Sequence, residues 1–99
     1  MQLQDKAIVI NPKDNVAVAT SYLKKGEQLT YKNETINIRE DIKPPFKLAL
    51  KIIKEGDEII KYGEIIGIAT GEIAPGELVH VHNVEGRRGR GDKITGVKK

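Results

Sequence analysis

Short runs of alternating apolar and polar residues, separated by turn-forming residues, dominate this chain. The clearest run is 78–82, in which Val79 and Val81 alternate with His80 and His82. In a strand, alternation places the two valines on one face and both imidazoles on the other, with the histidine Cα atoms about 7 Å apart. We therefore predict a strand over 78–82 whose apolar face packs on the domain and whose histidines share one site.

A second pattern is an internal repeat that appears when the chain is aligned on three glycines. Each copy reads apolar, Ala, three variable residues, Leu or Ile, two variable residues, Gly, acid, any residue, apolar. This predicts a strand that ends at the Ala, a buried Leu or Ile, and a short turn whose Gly takes a positive φ. The copies are Val18, Ala19, Leu23, Gly26, Glu27, Leu29; Leu48, Ala49, Ile53, Gly56, Asp57, Ile59; and Ile68, Ala69, Ile73, Gly76, Glu77, Val79.

The spacing of these copies, 30 and then 20 residues, is too irregular for a solenoid. We expect the longer interval to hold an extra hairpin, with strands at 29–31 and 35–38 joined across 32–34. Gly67 is expected to permit a close backbone crossing. Together these features predict an all-β domain of bent antiparallel hairpins with little helix over residues 1–86. A basic Gly/Arg/Lys tail follows over 87–99.

The distribution of charge argues against a nucleic-acid-binding face. The net charge is +3, but residues 87–99 hold six basic residues against Asp92 alone, a charge of +5, which leaves −2 on residues 1–86. Basic character therefore belongs to the tail and not to the body of the domain. Phe46 and three tyrosines are the only aromatic residues, so platforms for base stacking are scarce.

Cysteine count and hydropathy further narrow the class of protein to which this chain can belong. The chain has no cysteine, so neither a disulfide framework nor thiolate metal ligation is available. No run approaches the roughly 20 apolar residues of a membrane helix, and the polar first six residues lack the core of a signal peptide. We expect a cytoplasmic protein with no membrane partner.

The polar residues that follow the 78–82 run are the main candidates for chemistry. His80, His82 and Asn83 offer directional hydrogen bonds, and a histidine can also move a proton near neutral pH. Three arginines separated by glycines could order around a carboxylate or sulfonate, because guanidinium groups bind such anions bidentately. These arginines are Arg87, Arg88 and Arg90.

Each candidate also has a plainer interpretation. The histidine pair could ligate a metal, but two ligands do not make a site and no third is evident, so we expect no metal in this chain; a solvated pair is the other alternative. The arginine run is compatible with an ordered flap or a solvated, disordered tail. Lys47 either faces a ligand or is a solvated strand lysine, and Lys61 with Tyr62 either contacts a partner or packs over a turn.

Several of these residues resemble a known family. The Ala…Leu/Ile-x-x-Gly-acid pattern resembles the SAF domain, whose fold is a β-clip of long bent hairpins. The segments 48–50, 60–64, 66–67 and 80–83 are similar to the small domain of altronate and galactarate dehydratases. The segment 88–92 is similar to the separate small subunit of sulfolactate sulfo-lyase and related two-subunit lyases. The resemblance covers nearly the whole chain.

The resemblance implies an accessory role in lyase chemistry. In such lyases a large partner carries a divalent metal, iron or similar, and removes water or sulfite beta to a carboxylate. The small chain is then expected to be non-catalytic and to capture an anionic sugar acid or sulfonate. The substrate contacts would be His80, His82, Asn83, Lys47 and the three arginines. The alternative is a stand-alone β-clip module that binds a carbohydrate or another anionic ligand.

One segment departs from the family pattern. The stretch before Lys47 usually reads Ile-Pro-x-Gly-His-Lys in that family, whereas here Pro45 stands at the usual Gly and Phe46 at the usual His. If the His contacts substrate or metal in relatives, this chain supplies that contact in another way or lacks it. A different substrate, or a degenerate paralogue, is then expected.

Overall fold

The computed structural model describes residues 2–86, and within them every regular element is a β-strand. The all-β prediction is therefore confirmed. The predicted tail 87–99, with Arg87, Arg88 and Arg90, lies outside the described residues. The strands are β1 (Gln2–Leu3), β2 (Ala7–Ile8), β3 (Val16–Ala19), β4 (Gln28–Tyr31), β5 (Glu34–Asn37), β6 (Lys47–Ala49), β7 (Glu58–Lys61), β8 (Glu64–Ala69), β9 (Leu78–Val79) and β10 (Val84–Gly86).

Three antiparallel sheets organise these strands. A five-stranded sheet has the order β1-β2-β3-β6-β9, a three-stranded sheet the order β10-β8-β7, and β4 pairs with β5 alone. The two hairpins β4–β5 and β7–β8 extend from the five-stranded sheet. Both turn through two residues of positive φ, Lys32 and Asn33 in the first and Tyr62 and Gly63 in the second. Such turns match the right-handed twist of the strands that they join.

The predicted repeat is confirmed in the backbone. The three repeat glycines have φ angles of +96°, +89° and +86°, and each donates its N–H to a backbone carbonyl at 2.8 Å. The acid of each copy accepts a hydrogen bond from the N–H three residues earlier, at 2.7, 2.9 and 2.5 Å. The carboxylate therefore closes each turn, which the sequence pattern did not reveal. These acids are Glu27, Asp57 and Glu77.

The structure contains a fourth turn of this kind that the alignment on glycines missed. Ile42 pairs reciprocally with Leu23, as Ile53 pairs with Ile73. In the turn after Ile42, the Phe46 N–H donates to Lys43 O at 2.9 Å. The backbone N–H of the acid in each of the other three turns donates in the same way to the carbonyl three residues earlier. The interval between the first two copies thus holds the expected hairpin and a further turn. The domain is built from two similar halves, each with one hairpin between two turns.

The predicted strand over 78–82 is wrong beyond Val79. Strand β9 ends there and residues 80–83 form a turn, so Val81 is 79% exposed instead of facing the core. The physical reason is the Asn83 side chain. Its Oδ1 accepts from His80 N–H at 3.0 Å and its Nδ2 donates to Leu78 O at 2.8 Å, which bends the chain where alternation predicted extension.

Two apolar clusters form the core. The larger lies under β1–β6 and contains Leu23 and Ile42. These are two of the four anchors, the paired Leu or Ile residues that precede the four turns. The smaller lies between β6, β9 and the β7–β8 hairpin and contains the other two, Ile53 and Ile73. Each half of the duplicated domain thus closes over its own pair of anchors. The second cluster forms the wall on which the candidate site is built.

Candidate functional site

A groove of about 280 Å³ lies between the five-stranded sheet and the three-stranded sheet. It brings together Lys47 from β6 and His80 from the turn after β9, because Lys47 pairs directly with Val79 across the two strands. Two predicted site residues that are distant in sequence therefore share one groove. The lining residues are Lys47, Ile59, Ile66, Val79, His80, Val81, Val84 and Gly86.

The His80 imidazole is held against an aromatic ring. Its centroid lies 4.7 Å from that of Phe46, with the ring planes inclined by 30°. The Lys43 Nζ lies 6.0 Å from the Phe46 centroid, within the range of a weak cation–π contact. Phe46, which stands where the resemblance leads one to expect a histidine, thus supports a histidine from the turn after β9.

Asn83 and His82 differ in how much of their chemistry remains available. Asn83 uses one lone pair of its side-chain oxygen and one side-chain N–H in hydrogen bonds within the turn. One lone pair and one N–H remain for another partner. His82 is exposed in the same turn and is not among the residues that line the groove. The structure therefore does not place the two imidazoles side by side on one strand face, and their predicted roles remain predictions.

Lys47 is the notable charge of the groove. Partial burial, and secondarily the positive charge of Lys61, hold the pKa of the Lys47 ammonium below its usual value. Among residues 2–86, Lys47 takes part in no ion pair. An ammonium that is partly desolvated and lacks a counter-ion is suited to accept an anionic group from outside.

Lys61 and Tyr62 lie at the tip of the β7–β8 hairpin. The Lys61 Nζ sits 4.7 Å from the centroid of the Tyr62 ring, and Tyr62 is exposed with a φ of 56°. Lys61 therefore contributes to the field at Lys47, while the predicted partner contact by these two residues stays a prediction.

Sequence reasoning missed the residues that hold this hairpin in place. The buried Asn15 donates from Nδ2 to Glu58 O and accepts at Oδ1 from Ile60 N–H, both at 2.8 Å. It does so where the β7–β8 pairing shifts register between Ile59 and Ile60. Asp14 accepts from Gly63 N–H at 2.8 Å. Neither residue was among the candidates from the sequence, although polar residues directly before a buried strand were an available signal.

Gly67 on β8 confirms the predicted close crossing. A Cβ there would lie 2.8 Å from the backbone oxygen of Glu85 and 2.5 Å from Val84 Cγ1. The absence of a side chain lets β10 approach β8, with Gly67 opposite Gly86 in the register. This approach sets the far wall of the groove.

Across residues 2–86, no three acidic or histidine side chains converge so as to hold a metal ion. The same stretch contains no helix long and apolar enough to cross a bilayer. The described residues therefore do not fit a metal centre, and no chemical step is assigned to one in this chain.

The bent hairpins, the repeated Gly turns and the duplicated arrangement define a β-clip. The chain belongs to the family described as the altronate/galactarate dehydratase SAF domain, whose model matches residues 5–87. The predicted family is thereby confirmed, and the match takes in the groove and every described site residue.

Curated relatives carry this domain in two settings. The chain is 45% identical over 78 residues to an altronate dehydratase of Bacillus subtilis (strain 168) and 43% identical over 76 residues to that of Escherichia coli (strain K12), covering 79% and 77% of this chain. It is also 42% identical over 53 residues to the (2R)-sulfolactate sulfo-lyase subunit alpha of Paracoccus pantotrophus, covering 54% of this chain and 79% of that subunit. The chain spans only 16% and 15% of the two dehydratases.

Proposed function

We propose that this chain is the small, substrate-capturing component of a metal-dependent carbon–oxygen or carbon–sulfur lyase that acts on a sugar acid or sulfolactate. The observation that carries the proposal is the meeting of Lys47 and His80 in one groove of a domain of the dehydratase family. Lys47 supplies a cation that forms no ion pair within residues 2–86, and His80 supplies an imidazole that packs against Phe46. These are the groups that recognise a hydroxylated anion.

The proposed division of labour follows from this geometry. Lys47 pairs with the carboxylate or sulfonate, and His80 donates or accepts a hydrogen bond at a substrate hydroxyl or passes a proton to it. His82, with the remaining capacity of Asn83, extends the polar contacts along the turn. The arginines that follow Gly86 in the sequence would add further charge; they are Arg87, Arg88 and Arg90.

The proposed partner is a large catalytic lyase chain that holds a divalent metal, iron or similar, in the cytoplasm. Two observations support a partner. The relatives named as dehydratases are about six times longer than the matched segment, and another relative is named as subunit alpha. In this arrangement the small component is non-catalytic alone and closes over the reaction centre of the large one.

The test is an activity assay on the chain together with its lyase partner, using aldarates, aldonates and sulfolactate. Lys47→Met should raise KM about tenfold or more, since a charge-assisted hydrogen bond is worth about 1.5–3 kcal/mol, while Lys47→Arg should retain much of the affinity. Lys51→Met is the control, because Lys51 is an exposed lysine outside the groove.

Three results would each contradict part of the proposal. An unchanged KM in Lys47→Met would remove the cation from substrate capture. Full activity of the chain without any metal-bearing partner would show that the small component itself carries out the chemistry. A double variant, His80→Ala with His82→Ala, that retains full activity in the assembled enzyme would exclude both histidines from the site.

A second candidate function is a stand-alone β-clip module that binds a carbohydrate or anionic ligand. The observation that favours it is that the groove is formed entirely within this chain, by residues 47–86. The two functions differ in one measurement. Binding of aldarates to the isolated chain, as tight as to the assembled enzyme, supports the module, whereas binding only in the assembly supports the lyase component.

A further inference from the structure

The interior of the groove has a chemistry that the substrate does not explain. Five of its eight lining residues are aliphatic, and two of these leave apolar surface in contact with solvent, Ile66 at 38% and Val81 at 79% exposure. A sugar acid or sulfonate is covered with hydroxyl and anionic oxygens and offers little apolar surface to bury. The aliphatic wall therefore matches a different occupant from the one that Lys47 and His80 recognise.

The charge around this wall indicates what that occupant carries. Lys47 and Lys61 are close enough for the positive charge of one to lower the pKa of the other. Among residues 2–86, neither lysine takes part in an ion pair. Within the described residues, the groove is thus an apolar surface beside two lysines that form no ion pair, and it is complementary to an apolar side chain accompanied by a carboxylate.

We propose that the aliphatic wall of the groove receives an apolar side chain from the lyase partner, on a segment whose carboxylate pairs with Lys61. The proposal rests on the proposed function, because it takes the partner from there, and it adds the chemistry of the contact. Val81, at the tip of the turn, packs against the inserted side chain from one side and Ile66 from the other. Substrate capture by Lys47 and His80 then occurs at the border of the docked partner.

The geometry couples the two events. Val81 directly follows His80 in the turn that Asn83 closes, so a partner that packs on Val81 contacts the same turn that carries the imidazole. Docking of the partner and positioning of His80 therefore depend on the same turn.

The first test measures the affinity of the purified chain for its lyase partner by isothermal titration. Val81→Thr and Ile66→Thr keep a β-branched side chain but replace apolar surface by a hydroxyl. Each should raise the dissociation constant about tenfold. Ile52→Thr is the matched control, because Ile52 is 54% exposed and does not line the groove. Its affinity should remain within about twofold of the original.

The second test follows the methyl signals of the labelled chain by NMR. Addition of the lyase partner should shift or broaden the signals of Ile66, Val81 and Val84 and leave those of Ile10 and Ile52 unchanged. Addition of galactarate, altronate or sulfolactate alone should leave the groove methyl groups unchanged.

Each outcome either supports or overturns the inference. Loss of the Ile10 or Ile52 signals with the groove unaffected would show that the partner binds another face, while the proposed function would stand if activity persisted. Methyl shifts caused by the free anions would make the groove a substrate pocket and overturn the docking role. Self-association of the chain through these methyl groups would identify a second copy as the occupant and overturn it as well. Conversely, groove docking with activity unaffected by Lys47→Met would sustain the inference and refute the capture role.

Discussion

Phe46, in the turn before β6, packs its ring against that of His80, in the turn after β9, with centroids 4.7 Å apart, although the two residues belong to different halves of the duplicated domain. Phe46 holds the position in its turn that an acid holds in the other three turns. There the acid side chain is bound to a backbone N–H of its own turn. Phe46 makes no such bond, so its side chain is available to support a residue of the site.

Replacement of Phe46 by Leu should release the imidazole while keeping the turn apolar. The stacked pair is worth about 0.5–1.5 kcal/mol beyond the area that it buries, so a modest loss of stability is expected. The specific measurement is the chemical shift of the His80 ring protons, which should lose the ring-current contribution of Phe46. Phe46→Tyr keeps the ring and should keep the shift; an unaltered His80 spectrum in Phe46→Leu would contradict the stacking.

Gly76→Ala and Gly26→Ala form a matched pair. Both glycines have positive φ angles, but a Cβ at Gly76 would lie 1.8 Å from the backbone oxygen of Asn37, whereas Gly26 faces open space. The alanine at Gly26 should cost about 1–2 kcal/mol, the strain of the left-handed backbone alone. The alanine at Gly76 should cost several kcal/mol or prevent folding. Urea unfolding distinguishes them, and equal losses would refute the predicted contact.

Asn15→Ala should destabilise the domain by about 3 kcal/mol, because the Ile60 N–H and the Glu58 carbonyl would each lose a partner in a partly buried position. Asn37→Ala is the control, since the side chain of Asn37 is exposed and its change should stay within about 0.5 kcal/mol. Denaturant midpoints measure both. Similar midpoints for the two variants would mean that Asn15 does not hold the β7–β8 hairpin.

Stability should fall in acid partly through Glu27. The side chain of Lys6, and next the backbone N–H of Lys24, hold the pKa of the Glu27 carboxyl below its usual value. A carboxyl with a lowered pKa stabilises the fold above its unfolded pKa of about 4.3 and loses that contribution as the pH falls through the folded value. The difference in Tm between the original chain and Glu27→Gln should therefore shrink as the pH falls from 6 towards 3. A difference that is constant with pH would count against the bonds to Glu27.

The sequence predicted the fold well wherever one residue determines the backbone. Gly26, Gly56 and Gly76 recur because the turn needs a positive φ, and that requirement is visible in a single chain. The alignment on glycines missed the fourth turn because it has Pro45 and Phe46 where the other three turns have a Gly and an acid. The pairing of Ile42 with Leu23 is nevertheless present. Its hydrophobic anchor survives without the local signature, and such an anchor cannot be distinguished from any other isoleucine.

The candidate site was only partly accessible to the same reasoning. Alternation at 78–82 predicted a strand, but the amide of Asn83 competes successfully for the backbone of His80 and Leu78, and a period-two pattern carries no information about such a bond. The meeting of Lys47 with His80 depends on the pairing of β6 with β9. Strand pairing across a long interval is a tertiary property, so no pattern in the sequence provides a geometric reason to join the two residues.

The doubled construction of the domain has a consequence for its versatility. Because each half closes over its own anchors, one of the four bends can abandon the glycine and the acid and still be held by its neighbours. The turn at 43–46 has Pro45 and Phe46 at those two positions, and the Phe46 side chain packs against His80 of the opposite half. Redundancy of this kind gives a small scaffold freedom to diverge at one corner while the other three maintain its shape.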